Sequence, residues 1–220
     1  MSRAEMMGMV ESVEGDARYE EVRAAGRGAI VVTAHMGSFE AGMAALMEHE
    51  RRPIHVVFKR DERGRFERVR RSLREKLGIH EAAVDDGWTI WMRLRDALAA
   101  DHVVTMQGDR VMPGQKGQAV RFLHGHLLLP TGPIKLAIAS GAPLVPIFSI
   151  RAPDGRIRIY IEEAIYVDPA AEHVDGMHPA LLEFAAVLER YVKAYPEQWL
   201  LLQPAFVEDS LGAGAAGVVA

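Results

Sequence analysis

The run Ile30-Val-Val-Thr33 stops abruptly at His35, Gly37 and Ser38 and passes straight into Phe39-Glu-Ala-Gly-Met-Ala-Ala-Leu-Met47. A β-branched apolar run of this kind reads as a buried strand, and Ser38 is placed to cap a helix reaching about His49. Arg51-Arg-Pro53 breaks that helix, and Ile54-His-Val-Val-Phe58 reads as a second buried strand. Strand, helix and strand at this spacing imply a right-handed parallel crossover, which commits the chain to an α/β sheet. His35 then stands on the carboxyl lip of a strand, where open α/β sheets bind ligands. Glu40 falls in the first turn of the following helix. A neutral imidazole there can take a proton from a hydroxyl or amine, and a carboxylate at its other nitrogen would fix its tautomer. A histidine bonded to backbone, with a glutamate complementing the helix N-terminus, would use the same residue types.

Further elements follow in order. Residues Ala4 to Val10 and Ala17 to Ala25 read as short helices, closed by Gly26 and Gly28. Lys59 to Lys76 carries nine basic and four acidic side chains, a local net of +5. Phe66, Val69, Leu73 and Leu77 recur there at helical spacing, so a helix with a basic face is expected. That face is either solvated and ion-paired or attractive to anionic headgroups and a phosphate-bearing carrier. Ile79 to Val84 reads as a short strand, and Asp86-Gly-Trp-Thr89 as the cap of a helix to Ala100 that buries Ile90, Leu94, Ala97 and Leu98. His102 to Gln107 is a strong strand ending at Gly108-Asp109-Arg110. Asp109 there can orient His35, bind an acceptor hydroxyl, or merely shape a turn.

The stretch from Met112 to Ala119 reads as a mobile loop. Thr131-Gly132-Pro133 starts a helix whose free N–H groups either hold an oxyanion or phosphate or simply follow a proline start. Ala142 to Ile150 is a strand, turned at Asp154-Gly155 into the antiparallel strand Arg156 to Ile161, with Arg151, Arg156 and Arg158 facing solvent. Pro179 to Tyr195 is a closing amphipathic helix carrying Leu181, Leu182, Phe184, Val187, Leu188 and Tyr191. Leu211 to Ala220 reads as a disordered Ala/Gly-rich tail.

Composition removes several classes. The 220 residues contain no cysteine, which excludes disulfides, thiol catalysis and cysteine–zinc sites. Net charge is −4, against a general nucleic-acid binder. Neither a Gly-x-Ser-x-Gly elbow nor a Walker loop occurs. Gly212-Ala-Gly214-Ala-Ala-Gly217 matches a dinucleotide fingerprint in letters, but no strand leads into it and no chain remains for a crossover. His124 and His126 lack a third ligand, so no metal is expected. Met1 to Val10 does not read as a signal peptide. The most apolar window, Ile134 to Ile150, is broken by Lys135, Gly141, Pro143 and Pro146, so no membrane span is expected.

His35-Met-Gly-Ser-Phe-Glu40 resembles the His-x4-Asp/Glu motif of the lipid A biosynthesis (late) acyltransferases, within the lysophospholipid acyltransferase group. That motif is usually written His-Phe-Gly-Asn-Trp-Glu; here Met36, Ser38 and Phe39 depart from it. Val120-Arg-Phe-Leu-His-Gly125 followed by Thr131-Gly-Pro and Leu136-Ala137 is similar to a second block of that family, with His124 as an extra residue. Pro196-Glu-Gln-Trp199 is similar to a third. The resemblance covers roughly residues 14 to 206. It implies an α/β fold: a single domain with a mostly parallel central sheet flanked by helices, glycerolipid-acyltransferase-like. The expected division is a helical lead-in over 1–28, the acyltransferase core over 29–207 and the tail over 208–220.

The resemblance also implies an activity. His35 would be the general base, Glu40 its partner and Asp109 the matching acidic residue of an Asp-Gln-Asp-type patch. Arg60 matches the substrate-binding arginine after the second strand, with Lys59 as the alternative register. Gly125, Thr131 and Gly132 are the oxyanion or substrate candidates. The expected reaction moves a fatty acyl chain from an acyl-CoA or acyl-carrier-protein thioester to a hydroxyl or amine of a lipid or glycolipid, with no cofactor beyond that cosubstrate. The expected setting is cytoplasmic, peripheral at the inner face of the membrane. An acyltransferase of a secondary lipid or polyketide-like pathway is one alternative. A non-catalytic membrane-surface or carrier-protein binding module is the other.

Overall fold

Ala29 to Val32 are almost wholly buried, as a β-branched run covered on both faces must be. They belong to β2 (Ala29–Thr33), the middle strand of the main sheet. The computed structural model describes residues 7–59, 80–112, 114–201 and 204–207. Around β2 lie β1 (Val10–Glu14), β3 (Ile54–Phe58), β4 (His80–Ala83), β5 (Val103–Gln107), β8 (Leu144–Arg151) and β9 (Ile157–Ile161). Their order is β1-β9-β8-β2-β5-β3-β4. The strands β8, β2, β5, β3 and β4 run parallel, whereas β9 returns antiparallel to β8 through the expected Asp154-Gly155 turn. The central sheet is therefore mostly parallel, in a single α/β domain.

Side chains alternate along β2, and helices cover each set. On one face, α1 (Asp16–Ala24) and α2 (Phe39–His49) bring Tyr19, Val22, Ala41 and Ala45 against Val31, Val103 and Val145. On the other, α3 (Trp88–Ala99), α4 (Gly132–Ser140) and α5 (Pro179–Ala194) bring Leu94, Leu98, Leu136, Phe184 and Leu188 against Ile30, Val32, Val104 and Met106. The four inward residues expected of α3 are the buried ones, and the stripe of α5 faces the core as its spacing requires.

Four expectations change. Val10 to Glu14 is extended, pairing parallel with β9, so the lead-in over 1–28 supplies an edge strand rather than helices alone. Its valines serve the sheet edge, which local helix propensity does not register. Ser38 occupies the N-cap of α2 but its side chain makes no capping bond. Its N–H instead donates to the Ser149 carbonyl at 3.1 Å, tying the turn to β8. At α3 the N-cap is Gly87 rather than Asp86. Finally, the end of the expected loop, residues 117–119, is strand: it opens β6 (Gly117–Phe122), in a hairpin with β7 (Gly125–Pro130). β10 (Phe206–Val207) joins β7 to complete a second, three-stranded antiparallel sheet. The hairpin turns on Leu123 and His124, with Leu123 in the left-handed region at φ 52°. The basic helix expected over 59–76, apart from Lys59, and the tail over 208–220 lie outside the described residues.

Candidate active site

Two adjacent strands build the site. β2 pairs with β5 so that Thr33 lies opposite Gln107, and His35 and Asp109 each follow two residues later. The Gly108 N–H donates to the Thr33 carbonyl at 2.8 Å and carries the pairing one step past the strands. A β-carbon on Gly108 would press into the Val32 and Phe184 side chains. The chain leaves β2 through α2 toward β3, and leaves β5 through the β6–β7 hairpin and then α4 toward β8. In open α/β sheets ligands bind beyond the carboxyl ends of the strands. His35 and Asp109 stand at those ends of β2 and β5.

Asp109 is wholly buried and receives three donors. His35 Nδ1 lies 2.8 Å from Oδ1, the His35 backbone N–H donates to Oδ2 at 3.2 Å, and Trp199 Nε1–H donates to Oδ2 at 3.1 Å. Burial pushes the Asp109 carboxyl up, but the His35 and Trp199 donors outweigh it and hold it below the ordinary carboxylate range. An ionised Asp109 accepts only, so Nδ1 carries a proton, and in the neutral ring Nε2 is the atom with the lone pair. The His35 side chain is 17% exposed, enough for a substrate atom to reach it. Phe39 meets the imidazole edge-on, with centroids 5.9 Å apart.

The loop after His35 is fastened to the segment 198–200. Leu200 N–H donates to the His35 carbonyl at 2.7 Å, and Gly37 N–H donates to the Gln198 carbonyl at 2.9 Å. Gln198 also grips the Arg151 backbone, accepting from its N–H and donating to its carbonyl, each at 2.8 Å. Sequence reasoning marked Pro196-Glu-Gln-Trp199 as a block similar to one of the family's. It missed that the indole N–H is aimed at Asp109; a tryptophan beside a polar pair in a matched block was the available signal.

The other candidates are placed less centrally. Lys59 follows β3, at the same sheet edge and two strands from β2, and is half-buried. Arg60 lies outside the described residues, as does the side chain of Glu40, whose backbone is in the first turn of α2. Thr131 and Gly132 open α4, which runs back to the start of β8, so its N-terminus faces the carboxyl edge of the sheet. Gly132 sits against Trp91. Gly125 begins β7 opposite Phe122, beside the Phe206 ring. His124 lies in the hairpin turn and His126 on β7, and among the described residues no three His, Asp or Glu side chains gather as a metal site.

The sequence model of the bacterial lipid A biosynthesis acyltransferases matches residues 1–208. The chain belongs to this family. It is also similar to the phosphatidylinositol mannoside acyltransferase of Mycolicibacterium smegmatis, 28% identical over 188 residues. That alignment takes in 84% of this chain and 59% of the mycobacterial protein. The chain thus spans under two thirds of the curated relative's length. In this acyltransferase family member, no described helix is long and apolar enough to cross a membrane.

Proposed function

We propose that this chain transfers a fatty acyl group from an acyl-CoA or acyl-carrier-protein thioester to a hydroxyl or amine of a lipid or glycolipid acceptor. The observation that carries the reading is the His35–Asp109 pair, 2.8 Å apart at the carboxyl ends of β2 and β5. Family membership and the mycobacterial relative support the same chemistry. His35 Nε2 accepts the acceptor proton as its oxygen or nitrogen attacks the thioester carbonyl. Asp109 stabilises the imidazolium that forms. The tetrahedral oxyanion collapses, the C–S bond breaks, and His35 returns the proton to the departing sulfur. No acyl-enzyme is formed. Backbone N–H groups at Thr131–Gly132 or near Gly125 are the proposed oxyanion donors. Glu40 supports the histidine turn, and Arg60, or Lys59, holds a substrate phosphate or carboxylate.

The acceptor we propose is a glycolipid, the class named for the mycobacterial relative, reached at a membrane surface. A secondary lipid or polyketide-like acceptor is the alternative outcome of the same assay. Thiol release from acyl-CoA and acyl-carrier-protein donors, with and without lipid acceptors, tests the reading. The expected result is release that rises with one acceptor and falls at least about 10³-fold in His35→Ala. Acceptor-independent release would indicate a thioesterase. Folded protein with no release from any donor would leave only a binding module.

A further inference from the structure

We infer that Trp199 is a positioning residue for acyl transfer, its indole N–H fixing the orientation and charge of Asp109. The inference rests on the general-base reading and adds a residue which that mechanism does not itself require. Oδ1 of Asp109 faces His35 Nδ1, whereas Oδ2 takes the His35 backbone N–H and the Trp199 indole. Two of these three donors belong to His35 and move with it. Among the described residues, Trp199 is the donor that ties the carboxylate to the surrounding frame.

That frame is well fixed. The indole packs in a three-ring cluster with Phe122 at 5.8 Å and Phe206 at 6.4 Å, which are themselves 6.3 Å apart and both on the small sheet. Its backbone bridges to Met36, directly after His35, and Gln198 holds the end of β8. Packing against Phe122 and Phe206 asks only for a ring, which phenylalanine would supply. A donor aimed at a wholly buried carboxylate asks for tryptophan.

The consequence is electrostatic. A charge-assisted bond at Oδ2 stabilises the anion and drains part of the charge that Asp109 offers the imidazole. Without it the carboxylate is more basic, and the His35–Asp109 pair holds a proton more tightly. The active form, with Nε2 unprotonated, is then reached only at higher pH. No proton passes through the indole.

Trp199→Phe keeps the ring and removes the N–H. In the acyl-transfer assay kcat is expected to fall about tenfold with KM for the donor within about twofold. The acid limb of kcat/KM should move to higher pH by about half a unit or more. Gln198→Ala loosens the same segment without touching Asp109, and should lower the thermal midpoint while leaving that limb in place. An unmoved limb and wild-type kcat in Trp199→Phe would overturn the inference, as would an equal limb shift in Gln198→Ala. If wild-type transfer depends on His35 and only Trp199→Phe is silent, this inference alone fails. If wild-type protein shows no His35-dependent transfer, both fall. Should Trp199→Phe not fold, the indole ¹H–¹⁵N resonance of Trp199 decides. It should lie downfield in wild-type protein and move on Asp109→Asn; a resonance indifferent to that substitution overturns the assignment.

Discussion

Asp109 brings a negative charge to a position with no solvent contact, and only its donors make that tolerable. Asp109→Asn tests what the charge does. The carbonyl of the new side-chain amide would turn toward the two N–H groups now at Oδ2, leaving the amide N–H₂ facing Nδ1. Nδ1 must then accept, the ring proton moves to Nε2, and the base is lost with the geometry intact. A fall in kcat of about 10³- to 10⁴-fold is expected, with a thermal midpoint near that of wild type. A variant retaining a tenth of wild-type kcat would remove Asp109 from the mechanism. His35 and Asp109 were both legible as charged residues at strand exits. Which carboxylate meets Nδ1 was not. His-x4-Glu spacing offers Glu40 and a later strand exit offers Asp109, and only the adjacency of β5 to β2 puts Asp109, 74 positions further along the chain, against Nδ1.

At the scale of elements, the turn from β2 into α2 is shaped by Gly37 more than by its cap. Gly37 has φ 55°, and a β-carbon there would fall on the Ser149 carbonyl, backbone that cannot give way. Gly37→Ala is therefore expected to cost about 2–4 kcal/mol, read as a lower urea midpoint at unchanged slope. Activity should fall further than stability, because the Gly37 N–H also secures the segment carrying Trp199. A variant as stable as wild type would show that the turn relaxes freely. The parallel strands and their helices were legible because burial on both faces leaves continuous apolar runs and 3.6-residue stripes. The small sheet was not. β6 begins Gly-Gln-Ala, too polar to announce a strand, and β10 is two residues long; both are made by pairing with β7, a relation between segments that no single window records.

Across the whole molecule the two sheet edges do different work. The carboxyl edge carries His35 and Asp109, while the amino edge carries His55, stacked between His80 at 4.9 Å and His102 at 5.3 Å. His55 Nε2 lies 3.1 Å from His102 Nδ1, a contact that needs at least one lone pair. Burial, with His80, His102 and Arg93 alongside, pushes the His55 imidazole down to about 4. An unfolded chain takes up that proton near pH 6.5, so between about 6.5 and 4 it holds more protons than the folded one. Stability should accordingly be full above pH 6.5 and decline steadily as the pH falls toward 4. Urea midpoints across pH 4–8, for wild type and His55→Leu, check this. The variant should show a flatter decline below 6.5, and parallel curves would clear His55 of the effect. Because the histidine stack lies at the edge opposite His35, His55→Leu should flatten the stability curve without moving the acid limb of acyl transfer. Asp109→Asn should do the reverse, striking transfer while leaving the slope below pH 6.5 in place.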